Sequence, residues 1–342
     1  MPDNLVPTVH DNYFFHASQG EIQFKVVIVT GACRSGKTLL AQLLGSMRNV
    51  EWIEEPWMPM MIPIMQAYGL MDPIVGRDVM RAITEELFYD RILLRGANFR
   101  PGDLSSIWKV KEATEIFERL VNLRSRDDVR QYALTNAPVL LYVLAETNPF
   151  IPFMYDTFPN CRIIQIIRNG LDVAVAIAEK QWYSEERLKV PLNNILYRAY
   201  YRRPQSEPYS MPWWIREGDE ERFLGFSEFA KGLYYWHTLL DMNLPQLDEF
   251  KQVHADCYQE IRYEDLVQNP QNTLQALSDF LQVVPSERTM MIQSMIHTGE
   301  LDKKTDYPLR EVPKDELDKV RDLLDKLGYS TESNILRMDG ER

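Results

Sequence analysis

The chain is short of cysteine, of positive charge and of long apolar runs, and each shortage removes a class of function. Its three cysteines, Cys33, Cys161 and Cys257, stand far apart with no C-x-x-C pair. That argues against a disulfide framework and a structural zinc, and fits reduced thiols in a cytoplasmic protein. No stretch approaches the roughly 18 apolar residues of a membrane span. Residues 1–23 lack an apolar core flanked by basic residues, so no signal peptide is expected. With 38 Lys and Arg against 50 Asp and Glu, the net charge of −12 argues against a general nucleic-acid binder, which needs a basic face to displace counterions.

What is present is ordinary core material, 45% hydrophobic and 26% charged residues in a 342-residue chain, and one unusual loop. The run Lys25–Thr30 holds four consecutive apolar β-branched residues and reads as a strand buried on both faces. Gly31–Thr38 (GACRSGKT) follows at once and fits G-x-x-x-x-G-K-[ST] without a gap. Leu39–Met47 continues in good helix formers. A strand, a glycine loop and a helix start in that order make a phosphate cradle, because the helix N-terminus aims successive N–H groups at an anion. Arg34 and Lys37 crowd a helix start, where cations are unfavourable unless an anion meets them.

Further strands are expected at Val50–Glu54, Ile107–Val110, Val139–Leu144, Arg162–Ile167 and Tyr258–Tyr263. Helices are expected at Leu171–Gln181, Phe226–Asp248, Thr273–Leu281 and Lys314–Leu327. Short helices over Met58–Arg100 should form a cap, and Pro204–Gly225 an irregular insertion or lid. Apolar strands alternating with amphipathic helices define an α/β fold with a parallel sheet. No linker divides the chain, so one domain over 25–330 is expected, with an N-terminal extension (1–24) and a C-terminal tail (331–342).

A second informative segment is Cys161–Ala176 (CRIIQIIRNGLDVAVA), in which an apolar strand ends in Arg168 and a helix opens with Asp172 in its first turn. Phosphotransferases with such a cradle usually end a strand in Asp, to hold Mg²⁺. An arginine there suits a second anionic group. The alternative is a local pair between Arg168 and Asp172.

Together these segments resemble the sulfotransferases that use 3′-phosphoadenosine 5′-phosphosulfate (PAPS). Arg34–Thr38 matches the family's first motif and Arg168–Ala174 its second. Ile261–Val267 (IRYEDLV), Asn269-Pro270, Leu277–Leu281 and the closing Leu327-Gly-Tyr329 match its later blocks. The resemblance implies a three-layer α/β/α fold of the P-loop type with helical cap insertions. It also implies PAPS as co-substrate with no metal, and a small-molecule, glycan or lipid hydroxyl as acceptor. No nucleic acid is expected as a partner, and a homodimer is allowed.

The resemblance also assigns roles. Arg34, Ser35, Gly36, Lys37, Thr38 and Leu39 would hold the 5′-phosphate and sulfonate, with Arg34 balancing charge on the bridging oxygen. Arg168 would take the 3′-phosphate. Ala176 stands where relatives carry a serine, and Lys303, Lys304 and Arg310 could make up that loss. Glu55, followed by Pro56, matches the Glu-Pro that carries the base in many relatives, and strand alternation lets only one of Glu54 and Glu55 face the site. Catalysis would therefore rest on Glu55, Arg34 and Lys37. Of His10, His16, His237, His254 and His297, none follows a strand comparably, and His237 and His254 stand next as bases. Relatives carry Glu-Lys-Thr-Pro where this chain has Glu146–Pro149 (ETNP), so Lys37, Lys109 or Lys111 would supply the missing charge. Two rival readings remain open: a kinase using ATP and Mg²⁺ with Glu146 as metal carboxylate, and a nucleotide binder without catalysis. Trp182-Tyr183, Trp213-Trp214 and Tyr234–Trp236 could stack on an acceptor, although helical spacing makes the last group core. Within the cradle, Cys33 is expected to be a reactive thiolate.

Overall fold

The computed structural model describes residues 24–190, 194–202, 208–296 and 307–329. The expected extension, apart from Phe24, and the expected tail lie outside the described residues. Five parallel strands form the central sheet in the order β2-β3-β1-β4-β7. They are β1 (Lys25–Gly31), β2 (Val50–Glu54), β3 (Val139–Ala145), β4 (Arg162–Ile167) and β7 (Tyr258–Arg262). A short antiparallel pair, β5 (Tyr201–Arg202) and β6 (Met211–Pro212), stands apart.

Period-two alternation divides β1 between two cores. Val27 and Val29 face one layer, built on α1 (Lys37–Gly45), α14 (Tyr263–Gln268) and α15 (Pro270–Leu281). Val26 and Ile28 face the other, where α2 (Trp57–Ala67), α3 (Pro73–Ile92), α7 (Ile151–Thr157), α8 (Gly170–Ala178), α12 (Glu228–Asp241), α13 (Leu244–Val253) and α17 (Lys314–Lys326) pack. The remaining helices, α4 (Ile107–Val110), α5 (Ala113–Asn122), α6 (Arg126–Asn136), α9 (Glu185–Leu188), α10 (Ile195–Tyr200), α11 (Glu220–Leu224) and α16 (Glu287–Ser294), fill connections and rims. Parallel strands place all their C-terminal ends on one edge. The central strand β1 lies there between β3 and β4, the position where open α/β sheets bind ligands.

The expected three-layer α/β/α architecture is present, with corrections at four elements. Ile107–Val110 is one helical turn, not a strand, because Ile107 and Val110 are both buried and Lys111 N–H bonds the Ile107 carbonyl at 2.9 Å. The cap is not a set of short helices. Asp72 caps α3 through Ile74 N–H (2.9 Å) and Val75 N–H (3.2 Å), and that helix runs 20 residues. The helix expected over Phe226–Asp248 breaks between α12 and α13, where Pro245 at the start of α13 lacks the N–H a continuous helix needs. The described part of Pro204–Gly225 is no lid, since Met211, Trp213, Trp214 and Phe223 are buried in the main core.

Candidate active site

The cradle is built by backbone conformation. Arg34 (φ 66°) and Gly36 (φ 95°) both adopt left-handed angles, which turns the loop around a small concavity. At Gly36 this conformation is compulsory for a second reason: a Cβ would stand 2.3 Å from Cδ2 of Tyr263. The Ala32 carbonyl ties the loop together, accepting from Ser35 Oγ at 2.7 Å and Lys37 Nζ at 2.8 Å. The α1 ladder begins with Leu40 N–H on the Gly36 carbonyl (3.1 Å), so the amides of Gly36 to Leu39 precede it and remain the donors of an anion-binding helix start. Arg34 projects an exposed side chain, whereas Lys37 is buried.

Arg168 follows β4 and reaches this loop. Its Nη1 donates to the Arg34 carbonyl at 3.2 Å, and its guanidinium lies over the Tyr263 ring, 4.3 Å from the centroid. Its buried Nε has no hydrogen-bond partner, which leaves an unsatisfied donor on the side chain that meets the loop. The local pair with Asp172 is not formed: Asp172 accepts instead from the Tyr307 hydroxyl at 2.5 Å. The turn after Arg168 is pinned from three sides. Trp236 Nε1 donates to the Arg168 carbonyl (3.1 Å), Glu264 accepts from Asn169 N–H (2.9 Å), and the Tyr329 hydroxyl donates to the other Glu264 oxygen (3.0 Å). Ala176 is half-buried on α8, one turn beyond Asp172. Arg310 is exposed three residues after Tyr307, while Lys303 and Lys304 lie outside the described residues.

Three carboxyl groups face the cradle from the ends of β2 and β3. Glu54 does not point away, as alternation predicts if Glu55 faces the site. It accepts from Thr38 Oγ1 at 3.0 Å and from Trp52 Nε1 at 2.9 Å. Glu55 turns to the same side because its φ of 39° departs from the strand, and its Oε1 stands 3.9 Å from Lys37 Nζ. Glu55 stays 43% exposed. Burial and the adjacent Glu55 charge raise the Glu54 carboxyl above the usual range. Glu146, with φ 61°, is buried beside Lys37, and Tyr200, Tyr235 and the Cys33 thiol (3.5 Å) hydrogen-bond its carboxyl, which burial also raises. Those partners occupy the carboxylate that the kinase reading assigns to a metal.

Other expectations need correction. Burial and the Glu146 charge push the Cys33 thiol well up, so it is not the reactive thiolate expected of a cradle cysteine. Lys111 is buried against Glu51 (3.9 Å) and Glu115 (3.5 Å), in a cluster where Arg119 makes a paired contact to Glu51 at 2.9 and 3.1 Å. It therefore supplies nothing to the cradle. Thr147, in place of the relatives' lysine, bonds Thr30 at 2.9 Å between β1 and β3. His237 is buried against Glu316 at 2.8 Å, and His254 packs on Tyr155 and Phe250, so neither serves as base. His10, His16 and His297 lie outside the described residues. Trp213, Trp214, Tyr183 and Tyr234–Trp236 are buried, and only Trp182 of the proposed stacking groups keeps partial exposure. Among the described residues, no cluster of His, Cys, Asp and Glu suited to a metal occurs.

Tyr200, Tyr263 and Glu264 were not singled out from the sequence, and Tyr235 was read only as part of a stacking or core group. Tyr263 and Glu264 lie inside the IRYEDLV block, so that match carried the signal. Tyr200 carries no local pattern that marks it, and the helical spacing around Tyr235 marks core rather than a partner of Glu146.

A glycine cradle at the end of a central parallel strand, with a strand-end arginine folded over it, defines a P-loop-type α/β protein. The sulfotransferase family model matches residues 27–286, and the chain belongs to the sulfotransferase family. Similar solved structures include the sulfotransferase domain of the Synechococcus PCC 7002 olefin synthase, at 16% identity and TM-score 0.45, covering 91% of this chain and 97% of that one. Sulfotransferase STF1 of Mycobacterium tuberculosis H37Rv shares 12% identity at TM-score 0.40, covering 90% and 77%. Mouse sulfotransferase SULT7A1, solved with PAP, shares 13% at TM-score 0.36, covering 92% and 87%. No curated protein matches the sequence. Among the described residues, no helix is long and apolar enough to cross a membrane.

Proposed function

We propose that this sulfotransferase moves the sulfuryl group of PAPS to a hydroxyl of a small-molecule, glycan or lipid acceptor by in-line displacement. One observation carries the reading: Arg168 is held against the cradle through the Arg34 carbonyl and the Tyr263 ring, with a buried unpartnered Nε. Two anion anchors so joined suit one nucleotide with phosphates on both sides of its ribose. The amides of Gly36 to Leu39 and the Thr38 hydroxyl hold the 5′-phosphate and sulfonate, and Arg168 holds the 3′-phosphate. Asp172, bound to Tyr307, brings the segment that carries Arg310 near the same end. Free thiols at all three cysteines support a cytoplasmic setting.

In the transfer, the acceptor oxygen attacks sulfur as the bond to the bridging phosphate oxygen breaks. The electron pair leaves on the 5′-phosphate, where Arg34, Lys37 and the α1 N-terminus balance it. A sulfonate carries less negative charge than a terminal phosphate, so fixed cations suffice without a metal. The acceptor proton passes to Glu55. Both oxygens of Glu54 already accept hydrogen bonds from Thr38 and Trp52, whereas the partly exposed Glu55 is open to an incoming hydroxyl.

The deciding experiment is calorimetry with adenosine 3′,5′-bisphosphate (PAP) and with ATP, each with and without Mg²⁺. The proposal expects metal-independent binding of PAP and weaker binding of ATP. Tighter, Mg²⁺-dependent binding of ATP would favour the kinase.

A further inference from the structure

The residues that grip the nucleotide leave the acceptor without a seat, since the tryptophans and tyrosines that looked suited to it are mostly core. A different aromatic group borders the carboxylates. Trp57, the first residue of α2 and two residues beyond Glu55, is 40% exposed, and Tyr197 on α10 is 38% exposed. The Trp57 ring lies 6.2 Å from Tyr197 and 6.0 Å from Tyr200. Tyr201 stacks on Tyr197 at 6.3 Å and meets the edge of Tyr200 at 4.8 Å. Four rings in mutual contact, two of them well exposed, form the kind of surface that marks a binding site.

Tyr200 joins this cluster to the chemistry, because its hydroxyl bonds Glu146, which in turn touches Cys33 of the cradle. The electrostatics restrict what can sit there. Glu55 stands two residues before Trp57 and Glu146 is the partner of Tyr200, so carboxylates accompany the rings, while Lys37 is turned inward to the Ala32 carbonyl and Glu55. Arg187 acts on Tyr201 from the side of α9. An anion beside the attacked hydroxyl would meet the carboxylates first. A flat uncharged ring would stack on Trp57 or Tyr197 at little desolvation cost.

We propose that Trp57, Tyr197, Tyr200 and Tyr201 form the acceptor seat, and that it takes a planar, uncharged ring presenting a hydroxyl at its edge to Glu55. The proposal rests on the sulfuryl-transfer reading for the identity of the seat's occupant, but its test does not require turnover.

Four probes are titrated calorimetrically into the protein with and without PAP: 2-naphthol, its saturated analogue decahydro-2-naphthol, 3-hydroxy-2-naphthoate and methyl β-D-glucopyranoside. 2-Naphthol should bind and the glucoside should not; binding of the glucoside in place of 2-naphthol would replace the planar-ring seat by a sugar site and overturn the proposal. An aromatic seat should favour 2-naphthol over the saturated alcohol and over the anion by about tenfold each. Trp57→Ala should weaken the bound probe about tenfold, Trp57→Phe should keep most of the affinity, and PAP affinity should be the same in both variants. The seat is overturned if the anion is preferred, if neither planar probe binds, or if Trp57→Ala binds as the natural protein does. Binding of 2-naphthol without PAP binding would sustain the seat and sink the PAPS reading; PAP binding without 2-naphthol would do the reverse.

Discussion

Arg168 and Tyr263 stand one residue past the ends of neighbouring strands, and the guanidinium of the first lies 4.3 Å from the ring centre of the second. The β4–β7 register pairs Ile167 with Arg262, so the next residue on each strand is carried to the same edge, side by side. The ring also closes on Gly36, and Tyr263 is therefore a wall shared by the glycine loop and the Arg168 side chain. It fixes the direction of a long side chain that would otherwise lose much rotamer freedom on meeting a ligand.

The first prediction follows from that geometry. PAP should bind at least about tenfold tighter than AMP, since a charge-assisted contact to Arg168 is worth about 1.5–3 kcal/mol. Arg168→Ala should bring the PAP to AMP ratio near one, and Tyr263→Leu should lower it part of the way while AMP binding changes little. Calorimetry on the three proteins checks this. A ratio untouched by Arg168→Ala would remove Arg168 from the 3′-phosphate.

The sheet and the cradle were legible in the sequence because both are local. A run such as VVIV followed by GACRSGKT has few other ways to fold, and Arg168 was marked by ending an equally apolar strand. What was not legible depends on single dihedral angles and on chain segments far apart. Strand alternation put Glu54 and Glu55 on opposite faces, and one φ of 39° at Glu55 undid that. The Ile107–Val110 run has apolar residues three apart, which fits a helical turn as well as a strand, and only its burial decides. Cys33 has the neighbours of an activated thiol in sequence, yet Glu146, more than a hundred residues away, comes to lie beside it.

That reversal gives the second prediction. With burial and the Glu146 carboxylate both disfavouring the thiolate, Cys33 should alkylate slowly at neutral pH despite its place in the cradle. Cys161 is buried and raised as well, so half-buried Cys257 should react first. Mass-mapped iodoacetamide labelling over time gives the order. Cys33 reacting fastest would mean that its thiol is not held on Glu146.

The third concerns acid stability at the α12–α17 contact. Burial acts to raise the Glu316 carboxyl, but hydrogen bonds from His237 and Lys319 win and hold it down to about 2. A carboxylate with a lowered folded-state pKa contributes stability above its unfolded value. That contribution is lost as pH falls from about 4.5, the unfolded value, through about 2. Urea unfolding of Glu316→Gln should therefore show the variant weaker than the natural protein near neutrality, with the gap narrowing as pH drops through that window. A gap that stays constant with pH would assign the loss to packing rather than to charge.

The last prediction separates the two carboxylates at the end of β2. Glu55→Gln should leave PAP affinity nearly unchanged, because Glu55 is open to the acceptor side, and should lower turnover by about 10²–10⁴, the usual scale for a general base. Glu54→Gln should behave differently, not silently. Glu54 accepts from Thr38 Oγ1, so an amide there redirects the hydroxyl that the proposed function assigns to the 5′-phosphate, and donor affinity should change along with turnover. Lys37→Ala should weaken both donor binding and turnover, since its charge serves the ground state and the transition state alike, and Arg34→Ala should act chiefly on turnover. The measurement is sulfate transfer from labelled PAPS to a confirmed acceptor, with PAP affinity determined for each variant. If Glu54→Gln abolishes turnover at unchanged affinity while Glu55→Gln remains active, the base is Glu54 and its bond to Thr38 must open when the donor binds. If both stay active, the proton leaves by another path, and the buried Glu146 with its Tyr200 partner is the group that the geometry offers in their place.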